Sequence, residues 1–320
     1  MPTASVIVLP TARALTVRRA VDDYCDQLRN PRTRKAYAIA LERVVDVVGG
    51  HRLLTDVDGA ELAQVLEQAW GSAAANTWNA RRAAIASWLS WCQRRGDAIP
   101  SLPADVRAER VPVLVSRARS RTAIDRVISR RDVGVREKAL WRMLYETAAR
   151  AEEVLPLNVE DLNLAGRTAL VRGKSAGARR RGAVDRDDFV LEPIFWDAGT
   201  ARLLSRLIGD RRSGPVFLTD RRPSPGRARA ERDVDPLTGR GRLSYSRAAK
   251  MFGEATAGER GGPWGLHDLR HSALTHLGEA GASLPLLMAK SRHRKLETLR
   301  IYVRPGAAAM SDLTSLLGPR

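Results

Sequence analysis

His267-Asp268-Leu269-Arg270-His271-Ser272 is the most informative stretch of the 320-residue chain, and two shorter ones follow it, Ser291-Arg292-His293 and Ile301-Tyr302-Val303. Four of the five histidines lie in this region: His267, His271, His276 and His293. Apolar spacing predicts a helix over 267–280, which sets His267, Arg270 and His271 at i, i+3 and i+4 on one face. Groups that are cationic, or can become so, repel one another there unless an anion sits among them, and a phosphate is the natural candidate. Zinc competes, because two histidines at i, i+4 match helical two-His sites. Against zinc, no Glu lies between them, no third ligand is spaced to join, and Arg270 would repel a dication. Structural histidines on an apolar helix face are the third reading.

Composition favours an anionic partner of large size. The chain carries 54 Lys and Arg against 36 Asp and Glu, a net charge of +18, and 44% of it is hydrophobic. That much apolar content excludes a disordered polybasic tail. The basic residues are 48 Arg and 6 Lys, a skew that a GC-rich genome produces, so the position of the charge says more than its total. Residues 1–105 balance to +2 and residues 106–320 to +16. Cys25 and Cys92 exclude a disulfide scaffold and a Cys-based zinc module. No apolar run is long enough to span a bilayer, and Met1 to Pro10 lacks the basic start of a secretory signal. A cytoplasmic, nucleoid-associated protein without membrane contact is expected.

Periodicity divides the chain. Residues 1–12 read as an N-terminal extension and 13–100 as a helical bundle of four short helices. The first carries Val17, Val21, Tyr24 and Leu28. The second starts at the Asn30-Pro31 cap and stops at Gly49-Gly50. The third runs from Glu61 to Trp70 behind Asp58, and the fourth from about Ala74 to Arg95. Residues 101–121, with Pro103, Pro112 and five arginines, read as a basic linker. Residues 122–320 are mixed. A helix is expected over 135–149, and strands over Thr168–Arg172 and Ala183–Leu191 around a turn at 173–182. Helices follow near 198–208, 244–257, 267–280, 284–291 and 296–303, with a long exposed loop over 219–243 and a tail at 306–320. The fold class is mainly α with a small antiparallel sheet: a helical bundle plus a mixed α+β domain.

His267-x-x-Arg270, then His293, then Tyr302 resembles the C-terminal signature of the tyrosine recombinases, the phage-integrase family. Ala149-Arg150-Ala151-Glu152-Glu153-Val154-Leu155-Pro156-Leu157 resembles that family's first arginine box. Val171-Arg172-Gly173-Lys174 resembles the strand and turn that supply its lysine. Six positions in order between 150 and 302 carry the likeness, and the four-helix start resembles the family's core-binding domain. The sequence departs from the pattern at Lys290-Ser291-Arg292, where Leu-Gly often precedes the second histidine, and at Arg304-Pro305-Gly306 after the tyrosine.

The resemblance implies a site-specific recombinase that cleaves and rejoins DNA through a 3′-phosphotyrosyl intermediate and releases a 5′-hydroxyl. Such chemistry needs a nucleophile, an acid for the leaving oxygen and fixed positive charge on the phosphorane, with no cofactor and no metal. Tyr302 is the candidate nucleophile. Arg150 and Arg270 are candidates to clamp the non-bridging oxygens, since a planar guanidinium suits bidentate contact. His267 is placed to take or relay the tyrosine proton, His293 to donate to a phosphate oxygen, and Lys174 to protonate the 5′ oxygen. Glu153, or the adjacent Glu152, fills the acidic position that orients His267 or Arg150. Arg81, Arg82, Arg179, Arg180 and Arg181 are candidate DNA contacts. Resemblance further implies a clamp on duplex recombination sites, a homotetramer in the synaptic complex, accessory proteins, and the two-domain type lacking an arm-binding domain. A type IB topoisomerase-like relaxing activity and a helix-turn-helix regulator built on 281–303 are the alternatives.

Overall fold

The computed structural model describes residues 15–95, 99–111, 118–173, 190–224, 229–293, 299, 302 and 314. Internal contacts divide the chain into two compact units, one up to Val113 and one from Leu114.

The first unit is a helical bundle. It contains α1 (Val17–Gln27), α2 (Pro31–Val44), α3 (Gly59–Trp70) and α4 (Ala75–Arg94). Asn30 caps α2 as its sequence predicts, accepting from the backbone N–H groups of Arg32 and Thr33. Pro31 occupies the first turn, where no N–H is needed. The helix then widens into a π-type turn, Val45–Gly49, and Gly49 takes a left-handed φ of 99° that ends it. Asp58 stands at the N-cap of α3, but its side chain makes no capping bond. The core holds Val21, Leu41, Leu62, Leu66, Ile85 and Trp88, all nearly inaccessible.

The stretch 101–121, expected as a linker, is not free at either end. Ile99, Leu102 and Val106 pack against the first core. The Trp78 indole donates to Arg107 O at 3.0 Å, and Asn79 exchanges two hydrogen bonds with the Glu109 backbone. At the other end, Arg119 and Arg121 bond into the second unit.

The second unit contains α5 (Arg121–Ser129), α6 (Val135–Thr147), the short α7 (Ala151–Val154), α8 (Ala198–Ile208), α9 (Tyr245–Ala255), α10 (Leu266–Glu279) and α11 (Leu284–Ser291). Its sheet is antiparallel in the order β1 (Leu162–Asn163), β2 (Thr168–Arg172), β3 (Leu191–Phe195). The register pairs Ala169 with Ile194 and Leu170 with Pro193. Strand β3 overlaps the expected strand at 183–191 at Leu191 and continues to Phe195. Its described part begins where that expectation ends, and 183–189 lie outside the described residues. Pro193 is compatible with β3 because this is an edge strand, where a missing N–H breaks no ladder. Helix α5 was not expected; Ser120 caps it by accepting from Ala123 N–H. The described residues of 219–243 are largely irregular, and Arg242 among them bonds Asp233, Asn158 and the carbonyls of Leu155 and Leu157. Among the described residues, no helix is long and apolar enough to cross a membrane.

Trp141, Phe217, Phe252 and Leu140 centre the main core of this unit. A smaller cluster joins Ala148, Ala273, Leu274, Leu287, Leu299 and Tyr302. It lies where α6 ends and α10 and α11 pack, and it seats the tyrosine.

Candidate active site

Arg150 is set by the way α6 ends. Ala148, at the C-cap, takes a left-handed φ of 50°. Thr147 locks the turn, its hydroxyl donating to Met143 O (2.6 Å) and accepting from Ala149 N–H (3.1 Å). Arg150 then becomes the N-cap of α7. Its backbone N–H donates to Glu153 Oε2 at 2.9 Å and its Nη1 to Glu153 Oε1 at 2.5 Å. Glu153, which makes these contacts, is buried, whereas Glu152 is exposed. Burial pushes the Glu153 carboxyl pKa up, but the Arg292 charge and the Arg150 and Arg292 hydrogen bonds outweigh it, so the net shift is downward. Glu153 is held ionised.

Arg270 is 1% exposed. Its Nη1 donates to Ala148 O and its Nη2 to Ser291 O, both at 2.6 Å. These carbonyls stand at the C-terminal ends of α6 and α11, so two helix dipoles present their negative ends to one guanidinium. Burial and the nearby Arg150 lower the Arg270 pKa to about 10, which still leaves it charged at neutral pH.

His293 follows α11 and faces Arg270, with Nη2 3.3 Å from Nδ1. Ser291 Oγ lies 2.7 Å from the same Nδ1. Nη2 is also 3.4 Å from Nε2, so the guanidinium lies against both ring nitrogens and can only donate to them. Burial, then Arg270 and Arg150, push the His293 pKa down to about 4.

On α10, His267 and His271 stand edge to face, with ring centroids 4.7 Å apart. His267 is exposed by surface area, yet partial burial, the neighbouring His271 ring and the Arg270 and Arg150 charges lower its pKa to about 4. It is neutral at pH 7. His271 Nδ1 faces the Tyr302 hydroxyl at 2.5 Å. Among the described residues, no three His, Cys, Asp or Glu side chains gather as metal ligands would.

Tyr302 is 7% exposed, and burial raises its pKa to about 12 against the opposing pull of Arg270. Its backbone rests on α10: a Cβ built on Gly278 would lie 2.1 Å from Tyr302 O. Gly278→Ala is expected to shift the tyrosine off the helix, because no flexible side chain can yield there. Single-turnover cleavage should fall while the melting temperature changes little, since alanine suits a helix better than glycine. Equal cleavage by the variant would show that the approach does not matter.

The described residues thus bring Arg150, Glu153, His267, Arg270, His293 and Tyr302 together. Lys174 and Arg179 to Arg181 lie outside the described residues. Arg81 and Arg82 belong to the first unit, half-buried, and spend donors on it: Arg81 Nη1 on Ala36 O (2.8 Å) and Arg82 Nε on Val106 O (2.6 Å). Two residues were not on the expected list. His271 was visible as the i+4 partner of His267, but its contact with Tyr302 is long-range. Arg292 stood out only as a departure from the family pattern; it donates to Glu153 Oε2 at 2.7 Å.

Comparison with known proteins bears on the same region. The model of the phage integrase family matches residues 122–308. Tyrosine recombinase XerC of Mycobacterium sp. (strain JLS) is 27% identical over 321 residues, covering 95% of this chain and 99% of that protein. Tyrosine recombinase XerD of Mycobacterium leprae (strain TN) is 29% identical over 188 residues, 58% of this chain and 53% of that one. The Tn1549 transposon integrase in complex with a circular intermediate DNA has a similar fold, with a TM-score of 0.71 at 13% identity over 95% of this chain and 100% of that one. The XerH recombinase bound to difH substrate gives 0.65 at 18% identity, over 94% of this chain and 84% of that one.

Proposed function

This chain belongs to the phage integrase family, the tyrosine recombinases, and from that premise we propose that Tyr302 is the nucleophile with which it cuts and rejoins DNA. The protein is a site-specific DNA recombinase. The observation that carries the residue assignment is the contact of the Tyr302 hydroxyl with His271, one residue along α10 from the buried Arg270.

In the proposed reaction the Tyr302 oxygen attacks a backbone phosphorus, and the P–O5′ bond breaks. A 3′-phosphotyrosyl ester forms and the 5′ oxygen departs as a hydroxyl. The phenol, with its raised pKa, is a weak nucleophile at neutral pH, so its proton must leave as the bond forms. His271 Nδ1 is the acceptor in hydrogen-bond reach, with the neutral His267 ring beside it to relay the proton. Arg270 and Arg150 bind the non-bridging oxygens and offset the charge that grows on them. His293 donates to a phosphate oxygen. Lys174 gives the proton to the 5′ oxygen. Attack of a 5′-hydroxyl on the ester reverses the sequence and reseals the strand.

DNA is the partner that the family and its DNA-bound structural neighbours support. We extend this to recombination sites held by four copies of the chain with accessory proteins, and to phosphate contacts from Arg81, Arg82 and Arg179 to Arg181. Trapping tests the reading. A pool of nicked suicide duplexes with a randomised core is incubated with the protein, and denaturant-resistant adducts are recovered and mapped. Attachment at Tyr302 is expected; attachment at another residue would overturn the assignment.

Acid dependence follows from the two histidines. His267 and His293 stay neutral down to a pKa of about 4, below the ordinary 6.5. Protonation of these two rings should therefore not slow adduct formation until the pH falls below about 5. Stability changes in the same direction. In the unfolded chain these histidines bind protons as pH falls through 6.5, while the folded chain resists until near 4. Their contribution is full above the unfolded value and is lost as pH falls towards the folded one. A titration midpoint near the ordinary histidine value for either ring, read by NMR, would contradict this account.

A further inference from the structure

We infer that Arg292 is a positioning residue of this recombinase, which holds Glu153 against Arg150 and cancels the Glu153 charge so that the two clamping arginines act on the phosphate at full strength. The inference rests on the functional reading above.

Three donors converge on the Glu153 carboxylate: Arg150 Nη1 on Oε1, and Arg150 N–H and Arg292 Nη2 on Oε2. The Arg292 and Glu153 side chains are 3% and 5% exposed, whereas that of Arg150 is 32% exposed. Arg150 therefore reaches outward to an anion and Arg292 does not. A buried carboxylate next to a catalytic arginine gives rigidity but subtracts charge where charge is needed. Without Arg292, the group formed by Arg150, Arg270 and Glu153 would carry +1. With Arg292 it carries +2, the value of the two clamping arginines alone.

The backbone supports the same reading. Arg292 is left-handed, with φ 58°, a conformation that glycine adopts freely and other L residues disfavour. Its Nη1 bonds back to Lys290 O at 3.0 Å, which folds the side chain across the turn towards Glu153. The resemblance described above often places glycine here. An arginine in its place loads the turn, and what it contributes in return is the buried contact with Glu153. That contact also ties the turn carrying His293 to the box carrying Arg150.

The test uses the full chain and the winning duplex from the suicide pool, with wild type and Tyr302→Phe as references. Arg292→Gly relieves the backbone while removing the charge. It should slow adduct formation by about 10-fold or more, as loss of an electrostatic contribution at a reacting phosphate does. Arg292→Lys should recover part of the rate. Adding Glu153→Gln to Arg292→Gly should restore the rate to within about 3-fold of wild type, because the uncompensated negative charge is gone. A purely structural role predicts the opposite, a double variant slower than the single one. The salt dependence of DNA binding should be unchanged in Arg292→Gly, whereas loss of a direct phosphate contact lowers the slope by about 1. Wild-type cleavage rates in Arg292→Gly, no rescue in the double variant, or a lowered salt slope would each overturn the inference. Wild-type protein that forms no adduct through Tyr302 would overturn the functional reading beneath it.

Discussion

Tyr302→Phe is expected to abolish covalent attachment to DNA and leave duplex binding intact. The ring keeps its place among Ala148, Leu287 and Leu299, so the cluster that seats the segment loses no apolar contact. Only the hydroxyl and its bond to His271 disappear. The stability cost is that of one hydrogen bond, about 1 kcal/mol. No cation is removed, so affinity and its salt dependence should match wild type. Every route to a phosphotyrosyl ester is closed, so the loss of adduct should be complete. Adducts that survive in the variant, measured as denaturant-resistant protein on a labelled duplex, would show that another side chain attacks.

The second large effect is at Arg270. Its two short bonds hold the C-terminal ends of α6 and α11 together. Arg270→Ala should lower the cleavage rate by at least about 1,000-fold, because a fixed charge on the transition state is lost. It should also destabilise the second unit by about 2–4 kcal/mol, since two buried carbonyls lose their donor. Arg270→Lys separates the two contributions. An ammonium restores the charge and reaches one carbonyl, but it lacks the planar fork that spans both carbonyls. Its melting temperature should lie between wild type and the alanine variant, with cleavage still reduced about 100-fold. An alanine variant that melts with wild type would show that the bonds do not join the helices.

Local signals were legible in the sequence, and contacts between distant segments were not. Asn30-Pro31 announced α2 because capping involves neighbours within three residues. The i, i+3, i+4 spacing of His267, Arg270 and His271 put them on one face for the same reason. Strand β3 runs on past Leu191, where the expected strand ends, and takes in Pro193, which its position at the sheet edge makes harmless. Helix α5 begins at the last residue of the expected linker and carries little local signal. Its apolar face, Ile124, Val127 and Ile128, is short and has meaning only against α6 and α10. Arg81 and Arg82 are candidate DNA contacts by charge, and the bonds they make to carbonyls 45 and 24 residues away are ones no spacing rule reveals. The role of Arg292 was hidden similarly: Glu153 is 139 residues away.

The way Arg270 is held has a consequence for heat inactivation. A side chain gripped by the ends of two helices cannot wander while those helices stay in place, and the helices lose a shared anchor if it leaves. Folded but disarmed molecules should therefore be scarce: loss of cleavage on heating and loss of secondary structure in the second unit should follow one curve, with no interval in which an intact fold carries a loosened catalytic centre.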